Sequence, residues 1–81
     1  MSMTNLEKYN NTFISALGVN IDELTDLKYG DSYNWKSFAH MLLITAIEES
    51  FDIEFEPEDI TQLTSYKEGR KLLKKFNINI D

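Results

Sequence analysis

Few side chains in this 81-residue sequence have the types and spacing that chemistry requires. His40 is the only histidine and there is no cysteine, so neither a zinc site nor a catalytic triad can be assembled from familiar patterns. Gly18, Gly30 and Gly69 are isolated, which excludes a glycine-rich phosphate loop. We therefore expect that the chain is not an enzyme, that it holds no metal, and that His40 has a structural role.

Ser37 is the residue with the best case for a covalent role. A group attached to a hydroxyl at the start of a helix lies beside unpaired backbone N–H groups and the positive end of the helix dipole, where a phosphate is stabilised. Serine is also a preferred residue at the position before a helix, where its oxygen caps an N–H group. The residue type alone leaves both interpretations open, an attachment site and a helix cap.

The elements that position these residues are predicted to be helical. Thr4 and Glu7 have the spacing of a capping box, and apolar residues then recur at helical intervals, which predicts a first helix from Asn5 to Leu17 that stops at Gly18. Residues 19–36 have no sustained period. We predict a long ordered loop there.

Three more helices are expected in the second half. The stretch from Ser37 to Phe51 lacks glycine and proline and predicts a central helix with Ser37 at its N-terminus. Pro57 suits the first turn of a short helix that ends near Leu63, and Ser65 begins a second capping-box spacing before a final helix that Gly69 weakens. The chain is thus predicted to be all-α, a small four-helix bundle forming a single domain over residues 1–81.

Composition limits the partners. Fourteen acidic residues outnumber eight basic ones, giving a formal net charge of −6, and such a surface repels phosphate backbones, so no nucleic acid is expected. The absence of cysteine, of a signal-peptide pattern and of a long apolar run predicts a soluble, cytoplasmic monomer that does not associate with membranes. An acidic block could still steer basic enzymes toward the chain. Each single residue of this block is interpreted as solvated helix surface, so that only the collective charge is informative. The members are Glu48, Glu49, Asp52, Glu54, Glu56, Glu58 and Asp59.

The central helix is apolar almost all round. A helix in so small a domain buries one face, so part of this surface is expected to remain exposed for docking. Leu43 and Ile47 align with Phe51 one turn apart and are predicted to be core. The expected partner contacts are Lys36, Phe38, Met41, Glu48 and Glu49.

Several runs of the sequence resemble one protein family. Leu27 to Met41 reads Leu-Lys-Tyr-Gly-Asp-Ser-Tyr-Asn-Trp-Lys-Ser-Phe-Ala-His-Met, and Ala46 to Ile53 reads Ala-Ile-Glu-Glu-Ser-Phe-Asp-Ile. Together with the later Thr-Ser-Tyr-Lys-Glu-Gly, they resemble the stand-alone acyl carrier proteins, whose modification site reads Trp-Asp-Ser-Leu/Val-x-His-Met. The family fold would be a four-helix bundle with a long loop after the first helix.

The resemblance implies a carrier function. In these proteins the serine that matches Ser37 bears 4′-phosphopantetheine through a phosphodiester, and the arm carries acyl or aminoacyl groups as thioesters. The implied partners are a phosphopantetheinyl transferase, an acyl- or aminoacyl-activating enzyme and acceptor enzymes. Lys36 departs from the family pattern, which has aspartate there, and Phe38 replaces leucine or valine. Lys36 reverses a charge beside the modified serine and opposes the helix dipole.

Two other functions remain open at this point. An unmodified, carrier-like interaction module would bind a partner protein through the apolar central helix, with Ser37 only as a cap. A divalent-ion binder would use carboxylates between Glu48 and Asp59, although that block lacks a calcium-loop pattern.

A second serine, Ser32, stands in an Asp-Ser-Tyr triplet that superficially matches the family site. It lies five residues before Ser37, too early for a helix that ends at Phe51. The positions of Trp35 and His40 fix the same register, so Ser37 is the expected site.

Overall fold

The computed structural model describes residues 3–30 and 34–80. Within these ranges the chain is helical and has no β-strand, which confirms the predicted all-α class. The helices are α1 (Asn5–Leu17), a 3-10 helix (Ile21–Asp26), α2 (Ser37–Phe51), α3 (Pro57–Gln62) and α4 (Tyr66–Lys74). None of these helices has the length and apolar character needed to cross a membrane.

Helix α1 has the predicted bounds because both of its ends are specified locally. The Thr4 hydroxyl accepts a hydrogen bond from the Glu7 amide at 3.1 Å, and the Glu7 carboxylate accepts one from the Thr4 amide at 2.8 Å. Gly18 ends the helix in the left-handed conformation, with φ of 67°. The first buried residue of α1 is Tyr9, and Leu6 in the first turn is exposed.

The segment between α1 and α2 was expected to be a loop, but it contains the 3-10 helix. The Glu23 carboxylate accepts a hydrogen bond from the Asn20 amide at 2.7 Å and thereby stabilises the start of this helix. Leu24 and Leu27 are buried and hold the segment on the core. A helix with three residues per turn gives little signal at the α-helical period, so the sequence pattern did not reveal it.

A short antiparallel contact joins this segment to the junction between α3 and α4. Lys28 forms an isolated bridge with Ser65. The Tyr29 amide donates to the Thr64 carbonyl at 2.8 Å, and the Tyr66 amide donates to the Leu27 carbonyl at 3.0 Å. Residues 27–29 are therefore joined to residues 64–66 in the C-terminal half of the chain.

The core is rich in aromatic rings. Phe13 makes edge contacts with Trp35 and Tyr66, at centroid distances of 5.5 and 5.3 Å, and Tyr9 packs against both Phe13 and Tyr66. The Tyr9 hydroxyl donates to the Tyr66 carbonyl at 2.6 Å. These contacts connect α1, the start of α2 and the start of α4, with α1 packed most extensively on α2.

Asp59 is the acidic-block residue that the structure buries completely. Its carboxylate forms a salt bridge with the Lys75 ammonium, just after α4, and accepts a hydrogen bond from the Glu56 amide. The bond from Lys75, followed by that from Glu56, holds the pKa of the Asp59 carboxyl below its usual value, against the opposing effect of burial. The interpretation of each acidic residue in this block as solvated surface is therefore wrong for Asp59.

Candidate functional site

Ser37 is the first residue of α2, and its side chain is exposed. The preceding residue, Lys36, is the N-cap: it has extended backbone geometry, and its carbonyl accepts the first helical hydrogen bond from the His40 amide at 2.8 Å. Ser37 is therefore at the helix start, as predicted, but it is not the capping residue. The interpretation of Ser37 as only a helix cap is wrong.

The N-terminus of α2 differs from those of the other α-helices. The hydroxyls of Thr4 and Ser65 accept hydrogen bonds from backbone amides at the starts of α1 and α4. The Asp59 carboxylate accepts a hydrogen bond from a backbone amide at the start of α3. At the start of α2 the N-cap residue, Lys36, makes no side-chain capping hydrogen bond, and the first turn contains no acidic residue. An anion held by Ser37 would lie beside these N–H groups and the positive end of the dipole.

Tyr29 contacts Ser37 from the segment before α2. The hydroxyl oxygens of the two residues lie 3.3 Å apart. The Tyr29 ring packs with its edge toward the His40 ring, at a centroid distance of 4.9 Å, and also contacts Trp35. Sequence reasoning missed Tyr29 as a site residue. No local pattern indicated it, because the sequence before Ser37 contains a second tyrosine, Tyr33, and nothing in the residue types distinguishes the two.

His40 packs against the Tyr29 ring and is held in place by hydrogen bonds at both of its ring nitrogens. Trp35 Nε1 donates to His40 Nδ1 at 2.9 Å, so Nδ1 must carry a lone pair. The proton of the neutral ring is then on Nε2, which donates to the Ile60 carbonyl at 2.9 Å. Both ring nitrogens are engaged in holding α2 against Trp35 and α3, which is the structural role predicted for this residue.

A shallow cleft opens beside the site, between α2 and the α3–α4 junction. Its volume is about 280 Å³. Apolar groups make up most of the cleft surface, and the ring of Tyr29 lies at the boundary between this cleft and Ser37. The lining residues are Tyr29, His40, Ile60, Thr61, Leu63 and Thr64.

The exposed and buried faces of α2 divide as the sequence predicted. Phe38 is 80% exposed and Met41 is 51% exposed, whereas Leu43 and Ile47 are fully buried. Leu42, at 46%, adds to the exposed side and was not predicted to do so. These large apolar side chains form a surface, Phe38 with Met41 and Leu42, that continues directly from Ser37 along α2.

The charged residues predicted to contact a partner occupy different environments. Lys36 and Glu49 are exposed. Glu48 is partly buried, and its carboxylate accepts a hydrogen bond from the Phe55 amide at 2.8 Å. Its carbonyl also accepts from the Ile53 amide, where Asp52 ends α2 in the left-handed conformation. Glu48 therefore stabilises the turn after α2.

No metal centre is formed by the residues at 3–30 and 34–80. No three histidine or carboxylate side chains converge there. The carboxylates of Glu48 and Asp59 instead serve the turn after α2 and the Lys75 ion pair. The alternative serine, Ser32, lies outside the described residues.

Comparison of the chain with protein-family models, with curated protein sequences and with solved structures finds no match.

Proposed function

We propose that this chain is a non-enzymatic carrier protein that holds acyl or aminoacyl groups on 4′-phosphopantetheine attached to Ser37. The observation that carries the proposal is the exposed Ser37 hydroxyl at the start of a 15-residue helix whose N-cap residue, Lys36, makes no side-chain capping hydrogen bond. The arrangement of α1 to α4 is, in this proposal, the four-helix bundle of an acyl carrier protein. The 3-10 helix then belongs to the long connection between the first two helices of the bundle.

The residues around Ser37 fit a phosphodiester. Its oxygen is accessible to a transferase, and first-turn N–H groups together with the helix dipole favour the negative charge that the attachment introduces. When bound, the arm would supply a terminal thiol on which cargo is held as a thioester. The chain's own contributions are to present Ser37, to stabilise the phosphate charge, and to offer the apolar cleft beside Tyr29 to part of the cargo.

The proposed partners are the enzymes that would load the arm and act on its cargo. A phosphopantetheinyl transferase would load Ser37, and an activating enzyme and acceptor enzymes would perform the chemistry. We propose that they dock on the exposed surface of Phe38, Met41 and Leu42, with Lys36 and Glu49 at its edges. The carrier would act as a cytoplasmic monomer.

Intact mass tests this proposal. The purified chain is incubated with coenzyme A, magnesium and a broad-specificity phosphopantetheinyl transferase, and we expect it to gain the mass of one phosphopantetheinyl group. Ser37→Ala should abolish the gain and leave the helical circular dichroism spectrum largely intact, whereas Ser32→Ala, the matched control, should be loaded normally. Peptide mapping that found the arm on Ser32 would contradict the assignment.

The second candidate function is an unmodified interaction module that binds a partner protein through α2. Phe38 favours it, because this aromatic side chain is 80% exposed and adjoins exposed Met41 and Leu42, and contiguous apolar patches mark interaction sites. Lys36, in place of an acidic residue beside Ser37, also favours it. A mass that stays unchanged with several promiscuous transferases would select this function over the carrier.

A further inference from the structure

Tyr29 has a fixed position although 42% of its surface is exposed. Its backbone amide is bound to the Thr64 carbonyl at 2.8 Å, and its ring meets the His40 ring at an interplanar angle of 76°. His40 is itself held through both ring nitrogens. The Tyr29 hydroxyl is therefore presented to Ser37 by an ordered support rather than by a free side chain.

The contact between the two hydroxyls is long. Hydroxyl pairs usually lie about 2.5–3.0 Å apart, whereas Tyr29 Oη and Ser37 Oγ are separated by 3.3 Å. Such a bond is weak, and breaking or reshaping it costs little. A hydroxyl that donates to an anionic oxygen makes a bond about twice as strong as a neutral one. A phosphodiester on Ser37 Oγ would bring such oxygens next to Tyr29.

We propose that Tyr29 is a positioning residue for the loading of Ser37, an inference that rests on the carrier function proposed above. In the unmodified chain the Tyr29 hydroxyl donates to Ser37 Oγ and orients it, which leaves the Ser37 proton available for removal. After transfer the same hydroxyl donates to a phosphodiester oxygen and holds the first part of the arm beside the cleft.

The transfer itself is a displacement at phosphorus. Ser37 Oγ forms a new bond to the β-phosphorus of coenzyme A, and the bond from that phosphorus to the oxygen bridging the two phosphates breaks. Adenosine 3′,5′-bisphosphate leaves with the bonding electrons, and the Ser37 proton passes to a base on the transferase. Tyr29 keeps its own proton throughout.

Loading kinetics provide the first test. Tyr29→Phe keeps the ring on His40 and Trp35 and removes only the hydroxyl. With a transferase that loads the wild-type chain, we expect kcat to fall about three- to tenfold, the range for one lost hydrogen bond, while KM for the carrier stays the same. Tyr66→Phe is the matched control, because its hydroxyl donates to Asn10 on α1 and not to Ser37. It should retain wild-type kcat.

Phosphorus NMR of the loaded protein provides a second test of the role of Tyr29. The slower Tyr29→Phe variant is loaded to completion, and its phosphodiester resonance should shift from the wild-type position, whereas that of loaded Tyr66→Phe should not. Wild-type kcat or a wild-type resonance in Tyr29→Phe would overturn the role of Tyr29 while leaving the carrier function intact. Failure of every transferase to load the wild-type chain would instead overturn the carrier function and this inference with it.

Discussion

The hydroxyl oxygen of Tyr9 occupies the space where a side chain at Gly69 would begin. A Cβ atom built on Gly69 would lie 2.1 Å from Tyr9 Oη and 2.7 Å from a methyl carbon of Leu63. Glycine weakens an isolated helix, but here its missing side chain lets the Tyr9 hydroxyl reach the Tyr66 carbonyl. Gly69 thus lowers the helix propensity of α4 but makes room for a contact between α4 and Tyr9 of α1.

Gly69→Ala should therefore destabilise the fold, although alanine is the better helix former by about 1 kcal/mol. Forcing a methyl group into this space should cost about 1–3 kcal/mol, measured by urea unfolding. The same substitution in a Tyr9→Phe background should cost less, because the nearest clashing atom is gone. A Gly69→Ala protein that is more stable than wild type would contradict the close packing of Tyr9 on α4.

The ion pair between Asp59 and Lys75 predicts a loss of stability in acid. Because the folded pKa of Asp59 is lowered from a usual value of about 3.9, its contribution is complete above that value and is lost as the pH falls through the folded pKa. Urea midpoints of the wild type should fall as the pH is lowered below about 5, and Asp59→Asn should be less stable at neutral pH and depend less on pH in this range.

Lys75→Met separates the ion pair from general acid effects. It leaves the buried Asp59 carboxylate without its ammonium partner, so it should destabilise the protein at neutral pH. Its destabilisation relative to wild type should shrink in acid, as Asp59 becomes protonated. An equal effect of Lys75→Met at every pH would refute the coupling.

The two faces of α2 should respond differently to truncation. Phe38→Ala and Met41→Ala remove exposed side chains and should change the free energy of unfolding by no more than about 0.5 kcal/mol. Leu43→Ala and Ile47→Ala should each cost about 2–5 kcal/mol. In assays with a partner enzyme, Phe38→Ala and Met41→Ala should lose more function than the two core variants. Melting curves that fall equally for both pairs would refute this division.

Lys36→Asp should speed loading by a standard transferase, because it places a carboxylate at the N-cap of α2, where the dipole favours it. Lys36→Asn is the matched control, since asparagine can cap the same N–H groups without a negative charge. A rate that rises only with aspartate identifies charge as the determinant, and equal increases identify capping. A Lys36→Asp rate at or below wild type would indicate that the lysine suits its own transferase.

The features that the sequence predicted correctly are local ones. The capping box at Thr4 and the stop at Gly18 involve residues close in the chain, so their spacing is visible in the sequence. At Ser65 half of the predicted box is present, because the Ser65 hydroxyl accepts a hydrogen bond from the Glu68 amide. The start of α2 at Ser37 was predicted for the same reason. The separation of Phe38 from Leu43 followed from helical periodicity.

Most of the features that were missed depend on packing between residues that are not within one helical turn of each other. No local pattern shows that Tyr29 would reach Ser37 or that Gly69 would face Tyr9, because both depend on how the helices pack. Asp59 was assigned to a solvated acidic surface because its partner, Lys75, lies 16 residues away. The 3-10 helix was not predicted because its period is not that of an α-helix.

The antiparallel contact between the segment before α2 and the start of α4 also has a consequence for hydrogen exchange. The amides of Tyr29 and Tyr66 donate the two hydrogen bonds of this contact, so an opening that separates the two segments exposes both amides to solvent. Under conditions where exchange reports opening equilibria, both amides should therefore have similar protection factors and respond together to denaturant. An opening that separated the Tyr29 backbone from Thr64 would then also fray the first turn of α4, and the proposed attachment site at Ser37 would share its local stability with a helix near the other end of the sequence.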